Sequence, residues 1–273
     1  MTDTPLHLAV GCEFDVVVPG PTTAVAQVAV HGHQAVMLHQ ETWDTVHWRH
    51  LYFDANANRC ERLSLQAGPS RIAYHAEVSL SGAPDEVDWD AREVPPDELP
   101  DELMSWIMPS RFCQPDELGN DAWALFGAVP PGWGRVQAVC DFVNGHLEYQ
   151  AGSSNPWTTA ADVYRSRQGV CRDYAHLAIS FCRALNIPTR YVFGYIPEIA
   201  VTESHGEMDF AAWFEVWLGD RWFTFDARNN RPRVGRVVVG RGYDAVDVAM
   251  LTSLGPVELV GFKVYADQIT PQR

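Results

Sequence analysis

The apolar residues of this chain change their spacing near its midpoint, and that change divides it into two kinds of structure. From about Leu6 to Ser81 they alternate, as with Ile72, Tyr74, Ala76 and Val78 inside Arg71–Leu80, and further strand-like runs occupy Glu13–Val18 and Ala24–Val30. A period of two puts every second side chain on one face of a strand. Pro19-Gly20-Pro21 and Gly32 separate the runs as turns. Residues 1–82 therefore read as a β-rich, antiparallel, sandwich-like domain. Gly82 to Asp101 is rich in Pro, Asp and Glu and reads as a linker. We expect residues 83–108 to be linker and helix, and residues 109–273 to form a second unit.

In that second unit Val136, Val139, Cys140, Val143 and Leu147 recur at helical spacing. Thr159 and Asp162 form a box-like pair at a helix start, and Gly169 is expected to stop that helix. Tyr174, Leu177, Ala178, Phe181, Cys182 and Leu185 lie on one face of a further helix, which starts near Cys171 and ends at Asn186-Ile187-Pro188. Thr189–Ile196, Ala211–Leu218 and Arg221–Ala227 are strand-like. Gly219-Asp220 between the last two fits a type II′ hairpin. The fold class is α+β.

Composition excludes several functions. Of 273 residues 47% are hydrophobic, too many for a disordered chain. No run approaches the roughly 20 apolar residues of a membrane helix. The N-terminus carries no basic and apolar leader, so the expected location is cytoplasmic. A net charge of -15, with no basic patch, argues against nucleic acid. The six cysteines include no C-x-x-C pair, and no metal or cofactor site is readable.

One cysteine stands out by position. Cys171 follows a short Gly169-Val170 turn at a helix N-terminus, where unpaired N–H groups and the helix dipole favour a thiolate. The same N–H groups could bind a developing oxyanion. A buried structural thiol is the alternative. Counting outward from Gly219-Asp220 pairs Leu218 with Arg221 and sets Trp213 opposite Asp226. Position 211 is then a diagonal neighbour of Asp226 on the same face. A base at 211 would be oriented by the Asp226 carboxylate, as in a Cys-His-Asp triad, with that face turned towards Cys171. Residue 211 is alanine.

Gly169–Leu177 and Arg183–Tyr195 resemble the cysteine block of bacterial transglutaminase-like proteins. Asp209–Leu218 and Arg221–Arg228 resemble the histidine and aspartate block of that family. Pro109–Cys113 and Asp116–Leu118 are similar to a segment of a bacterial branch with a β-rich N-terminal domain. The resemblance implies a papain-like core of helices packed on an antiparallel sheet. It also implies attack by a cysteine thiolate on an amide or ester carbonyl, with water or an amine resolving the acyl-enzyme; the expected function is acyl chemistry on an amide, peptide or thioester. Cys171 maps onto the nucleophile and Asp226 onto the orienting acid. The family histidine falls on Ala211.

Three explanations of Ala211 stand at this point: an inactivated variant, a non-catalytic binding module using the retained cleft, or an enzyme with altered acyl-transfer or cyclisation chemistry and another base. His205 is the nearest substitute base. His176, five residues after Cys171, should point away around the helix. Trp157, Trp213 and Asp209 are candidates to line a substrate groove. Their plainer roles are core packing for the tryptophans and a turn for Asp209. Arg228 and Asn229 could brace the site or bind an anionic group.

Overall fold

The computed structural model describes residues 5–32, 36–201 and 208–270. Six strands come first: β1 (Pro5–Val18), β2 (Thr22–Ala26), β3 (Val36–Thr45), β4 (Trp48–Phe53), β5 (Arg59–Leu65) and β6 (Gly68–Ser81). Alternation does what the period demands. In β1 the side chains of Leu6, Leu8, Val10, Cys12, Phe14, Val16 and Val18 are buried. In β6 those of Ile72, Tyr74, Ala76 and Val78 are buried beside them. β1 and β6 pair antiparallel along their whole length.

The segment after β6 is not a loose tether. Pro84 makes an isolated bridge to Val234, and Asp85 accepts the Arg233 backbone N–H at 2.8 Å. Val94 and Leu99 join Leu103, in a 3-10 turn over Asp101–Ile107, against Trp106, Trp217 and Trp222. Its prolines prevent regular structure, while its few apolar side chains still find a core.

Four helices follow: α1 (Pro115–Phe126), α2 (Trp133–His146), α3 (Ala160–Ser166) and α4 (Cys171–Ala184). Thr159 caps α3, its hydroxyl accepting from the Asp162 N–H while the Asp162 carboxylate accepts from the Thr159 N–H. The helix ends at Arg167, which takes a left-handed φ of 60°, two residues before the expected stop at Gly169. Gly169 serves a different need. It lies in a two-residue parallel pairing of β7 (Glu148–Tyr149) with β8 (Gln168–Gly169), and a Cβ there would stand 2.8 Å from the Cβ of Asp173. Glycine lets the chain approach the first turn of α4.

α4 is the central helix, buried from Asp173 to Arg183. Its buried Arg183 donates to the carbonyls of Thr189 and Tyr243 at 2.7 to 3.0 Å. Asn186, at φ 64°, ends the helix region where the sequence places a stop. α4 packs on a sheet of order β11-β10-β9-β12, made of β9 (Thr189–Tyr195), β10 (Ala211–Leu218), β11 (Arg221–Phe225) and β12 (Val237–Gly242). The hairpin register runs from Leu218↔Arg221 to Phe214↔Phe225, and Gly219 sits at φ 63°. Gly194, opposite Ala211, leaves room that a Cβ would take from the Val237 carbonyl.

The chain returns to its beginning. β13 (Leu251–Ser253) pairs with β2, and β14 (Glu258–Gln268) pairs with β1. Two further four-stranded sheets are therefore β14-β1-β6-β3 and β13-β2-β5-β4, and they share an apolar core with the helical region. Both closing strands satisfy backbone that β1 and β2 would otherwise expose as edges.

Candidate functional site

Cys171 is the first residue of α4, after Val170 in extended conformation. The Asp173 carboxylate accepts the Val170 N–H at 2.8 Å and holds the turn. The thiol of Cys171 meets the start of β10, donating to the Phe210 carbonyl at 3.9 Å. Its sulfur is approached by the backbone N–H groups of Arg172 and Ala212. Five of the six cysteines are buried, and Cys171 is half-buried.

The thiol opens on a cavity of about 250 Å³. Tyr149, Ala211, Arg228, Asn229 and Arg233 line it, with Glu198 and Asp209 exposed among its walls. Burial pushes the Cys171 thiol up to about 11. Arg228 is the strongest opposing influence and Asp209 adds to the rise. The Arg228 guanidinium lies over the Tyr149 ring, 4.2 Å from its centre. None of the described residues lining the cavity is a histidine.

Of Ala211 and Asp226, the cavity receives only Ala211. The Asp226 carboxylate lies behind it. One oxygen accepts the backbone N–H groups of Arg228 and Asn229 at 3.1 and 2.9 Å. The other accepts from Asn229 Nδ2 at 2.8 Å and from Arg236 Nη2 at 2.9 Å. Arg236 is shared with Asp85 at 2.8 Å. In this chain Asp226 thus holds a turn and a buried arginine, and Asn229 stands between it and the thiol pocket.

The other candidates fall in different places. Asp209 accepts the Phe210 N–H at 2.7 Å, a turn role at the start of β10, while also reaching the cavity. Trp213 is 1% exposed and packs with Val192 and Ile196, with Arg236 5.0 Å from its ring centre. It is a core residue and does not line the thiol pocket. Trp157 is 70% exposed on the loop that Arg172 holds through the Asn155 carbonyl, outside the lining. His205 lies outside the described residues. His176 is buried between the rings of Phe112 and Tyr191 and accepts the Ala245 N–H at 3.2 Å. Burial pushes it down to about 3, so it is neutral and structural.

Arg233 and Tyr149 were not legible as site residues. Arginine in a Pro-flanked segment reads as surface, and Tyr149 reads as the end of a helix. Arg228 and Asn229 gave a weak signal, since both follow Asp226 directly.

Residues 126–227 match the Transglutaminase-like superfamily, a span that contains Cys171, Ala211 and Asp226. That span carries a transglutaminase-like core. A crystal structure of a candidate cysteine protease from Cytophaga hutchinsonii superposes with a TM-score of 0.88 at 27% identity, covering 99% of this chain and 93% of that one. An uncharacterized Mycobacterium leprae protein is 32% identical over 122 residues, 44% of this chain and 43% of that protein. An uncharacterized Mycobacterium tuberculosis protein is 34% identical over 121 residues, 39% of this chain and 37% of that protein. The chain thus spans less than half the length of these curated relatives. Among the described residues no helix is long and apolar enough to cross a membrane.

Proposed function

We propose that this protein is a cysteine-dependent acyl-transfer enzyme or hydrolase that works through an acyl-enzyme on Cys171. The observation that carries this reading is the half-buried Cys171 thiol, first residue of α4, opening on the cavity with Arg228 beside it. A helix start and a nearby cation both favour a thiolate. The sulfur attacks the substrate carbonyl carbon, a C–S bond forms, and the carbonyl electron pair moves to oxygen. When that pair returns, the bond to the leaving group breaks. Water or an amine then attacks the acyl-enzyme, loses a proton to solvent and releases the Cys171 thiolate.

The leaving group sets the preferred donor. An amide nitrogen must be protonated to depart, and imidazole is absent from the described lining. A thiolate departs without a proton. Thioesters are therefore better donors here than peptides or simple amides, and transfer or cyclisation of an acyl group fits better than proteolysis.

A second reading, a non-catalytic module that binds ligands in the cleft, is favoured by the high pKa of Cys171 and the engagement of Asp226 by Asn229 and Arg236. Turnover separates the two. The enzyme reading expects consumption of a thioester faster than of the matched amide, lost in Cys171→Ala. Equal rates for the parent and Cys171→Ala would leave the binding reading.

A further inference from the structure

Arg228 and Arg233 both line the thiol pocket, and neither has a carboxylate within ion-pair distance among the described residues. Arg233 is 6% exposed, and among the described residues its guanidinium hydrogen-bonds to neutral acceptors, the Asn229 side-chain oxygen at 2.8 Å and the Pro197 carbonyl at 3.0 Å, with Asp226 and Asp85 acting on it from further off. Its Nε is buried with no partner. Two neighbouring arginines are matched by acid, Arg236 by Asp226 and Asp85 and Arg241 by Glu215, whereas Arg183, deeper still, is held by carbonyls. A buried guanidinium without a counter-ion is costly, and an anion beside it recovers part of that cost. Arg228 holds its own head at the cavity through the Tyr149 ring rather than through an acid. The two carboxylates of the cavity, Glu198 and Asp209, are exposed, while Arg233 is deep. Arg233 is therefore the deepest charge of the cavity, while Asp209 lies within reach of the Arg228 charge.

We propose that the Cys171 pocket binds a carboxylate of its substrate between Arg228 and Arg233, so that its acyl donors are small acids carrying a second, free carboxylate. The proposal rests on reading Cys171 as the reacting group. The cavity, about 250 Å³, has room for a short dicarboxylic chain. Carboxylate suits paired guanidinium groups through charge-assisted hydrogen bonds.

Two alkylating agents of the same reacting carbon test this. Iodoacetate carries a carboxylate and iodoacetamide does not. Their rate ratio at Cys171 is measured in the folded protein and in the same chain unfolded in urea, which cancels thiolate content. Folding should raise the iodoacetate-to-iodoacetamide ratio by about tenfold or more, the scale of one hydrogen bond to a charged group. Arg228→Gln should abolish that rise, and glutarate should slow the labelling saturably. An unchanged ratio overturns the proposal while leaving the nucleophile intact, and so does protection by inorganic phosphate without protection by glutarate. If neither reagent labels Cys171, the nucleophile reading fails. Calorimetric titration of glutarate into Cys171→Ala then decides the anion site: binding lost in Cys171→Ala/Arg228→Gln supports it, and no binding overturns it.

Discussion

The side chain of Asn229 donates to the Asp226 carboxylate at 2.8 Å, and the Asn229 backbone N–H adds a second bond at 2.9 Å. With Arg236 on the same carboxylate, Asp226 has a structural task that does not depend on catalysis. Asp226→Ala leaves Arg236 with Asp85 as its remaining acid partner and removes three N–H acceptors. Breaking a buried pair by deleting one member typically costs about 3–5 kcal/mol. We expect a stability loss of that order in urea unfolding, with Asp226→Asn milder because its oxygen still accepts.

Thiol reactivity gives the second prediction. A thiol of pKa about 11 is thiolate in roughly one molecule in ten thousand at pH 7. The charged form gains as pH rises, so alkylation of Cys171 should accelerate about tenfold per pH unit, with no plateau below pH 9. Peptide mapping after limiting alkylation should find Cys171 labelled ahead of the five buried thiols. Arg228→Gln should slow it further, because the cation favouring the thiolate is gone.

Much of this site was readable in the sequence, and the unreadable part has a physical cause. The start of α4 at Cys171 and its stop near Asn186 follow from local turn chemistry and periodicity. The register of β10 and β11 follows from counting outward from Gly219-Asp220. Strand alternation predicts Ala211 and Asp226 on one side of the hairpin. It could not tell which of them reaches the thiol, because that depends on Asn229, Arg233 and Arg236 filling the space between. Nor does any local signal announce that β14 will pair with β1 some 250 residues earlier. That pairing is decided by backbone edges that only the folded chain brings together. Asp85 shows the same limit, lying in a segment that reads as linker and bonding to Arg236.

The α3 cap is a local device with a local cost. Thr159→Ala removes the hydroxyl that accepts the Asp162 N–H, and N-cap losses of this kind cost about 1 kcal/mol. The loss should appear as a lowered urea midpoint with unchanged slope, since the surface exposed on unfolding is the same.

Glu215 supplies the acid dependence. Burial alone would raise its carboxyl, but Arg241 and Arg190 together hold it below its ordinary range. Its contribution to stability is therefore present above the unfolded value, near 4.3, and is lost as pH falls through the lower folded value. Glu215→Gln should cost about 3–5 kcal/mol at pH 7, since it strands two buried guanidinium groups. The difference between the variant and the parent should shrink as the solution is acidified, which urea unfolding across that range will measure.

Position 211 reports on the missing base. Ala211 lines the cavity, so an imidazole introduced by Ala211→His can reach the thiol, but the Asp226 carboxylate that would orient it is already engaged. General-base assistance is worth about 10²–10⁴-fold. We expect acylation by an activated ester to rise towards the lower end, about a hundredfold, and expect more in Ala211→His/Asn229→Ala, which leaves Arg236, of the two, as the remaining donor on the Asp226 oxygen they share. A drop in both variants would mean that the pocket has no catalytic geometry to restore.

The most direct test of the account is the mass of the protein after brief exposure to a small dicarboxylic acid monothioester, quenched in acid and mapped by peptide. The account predicts one added acyl group, on Cys171, which disappears on standing with hydroxylamine and does not form in Cys171→Ala. An unmodified Cys171, with the thioester intact or the acyl group on another residue, would contradict it.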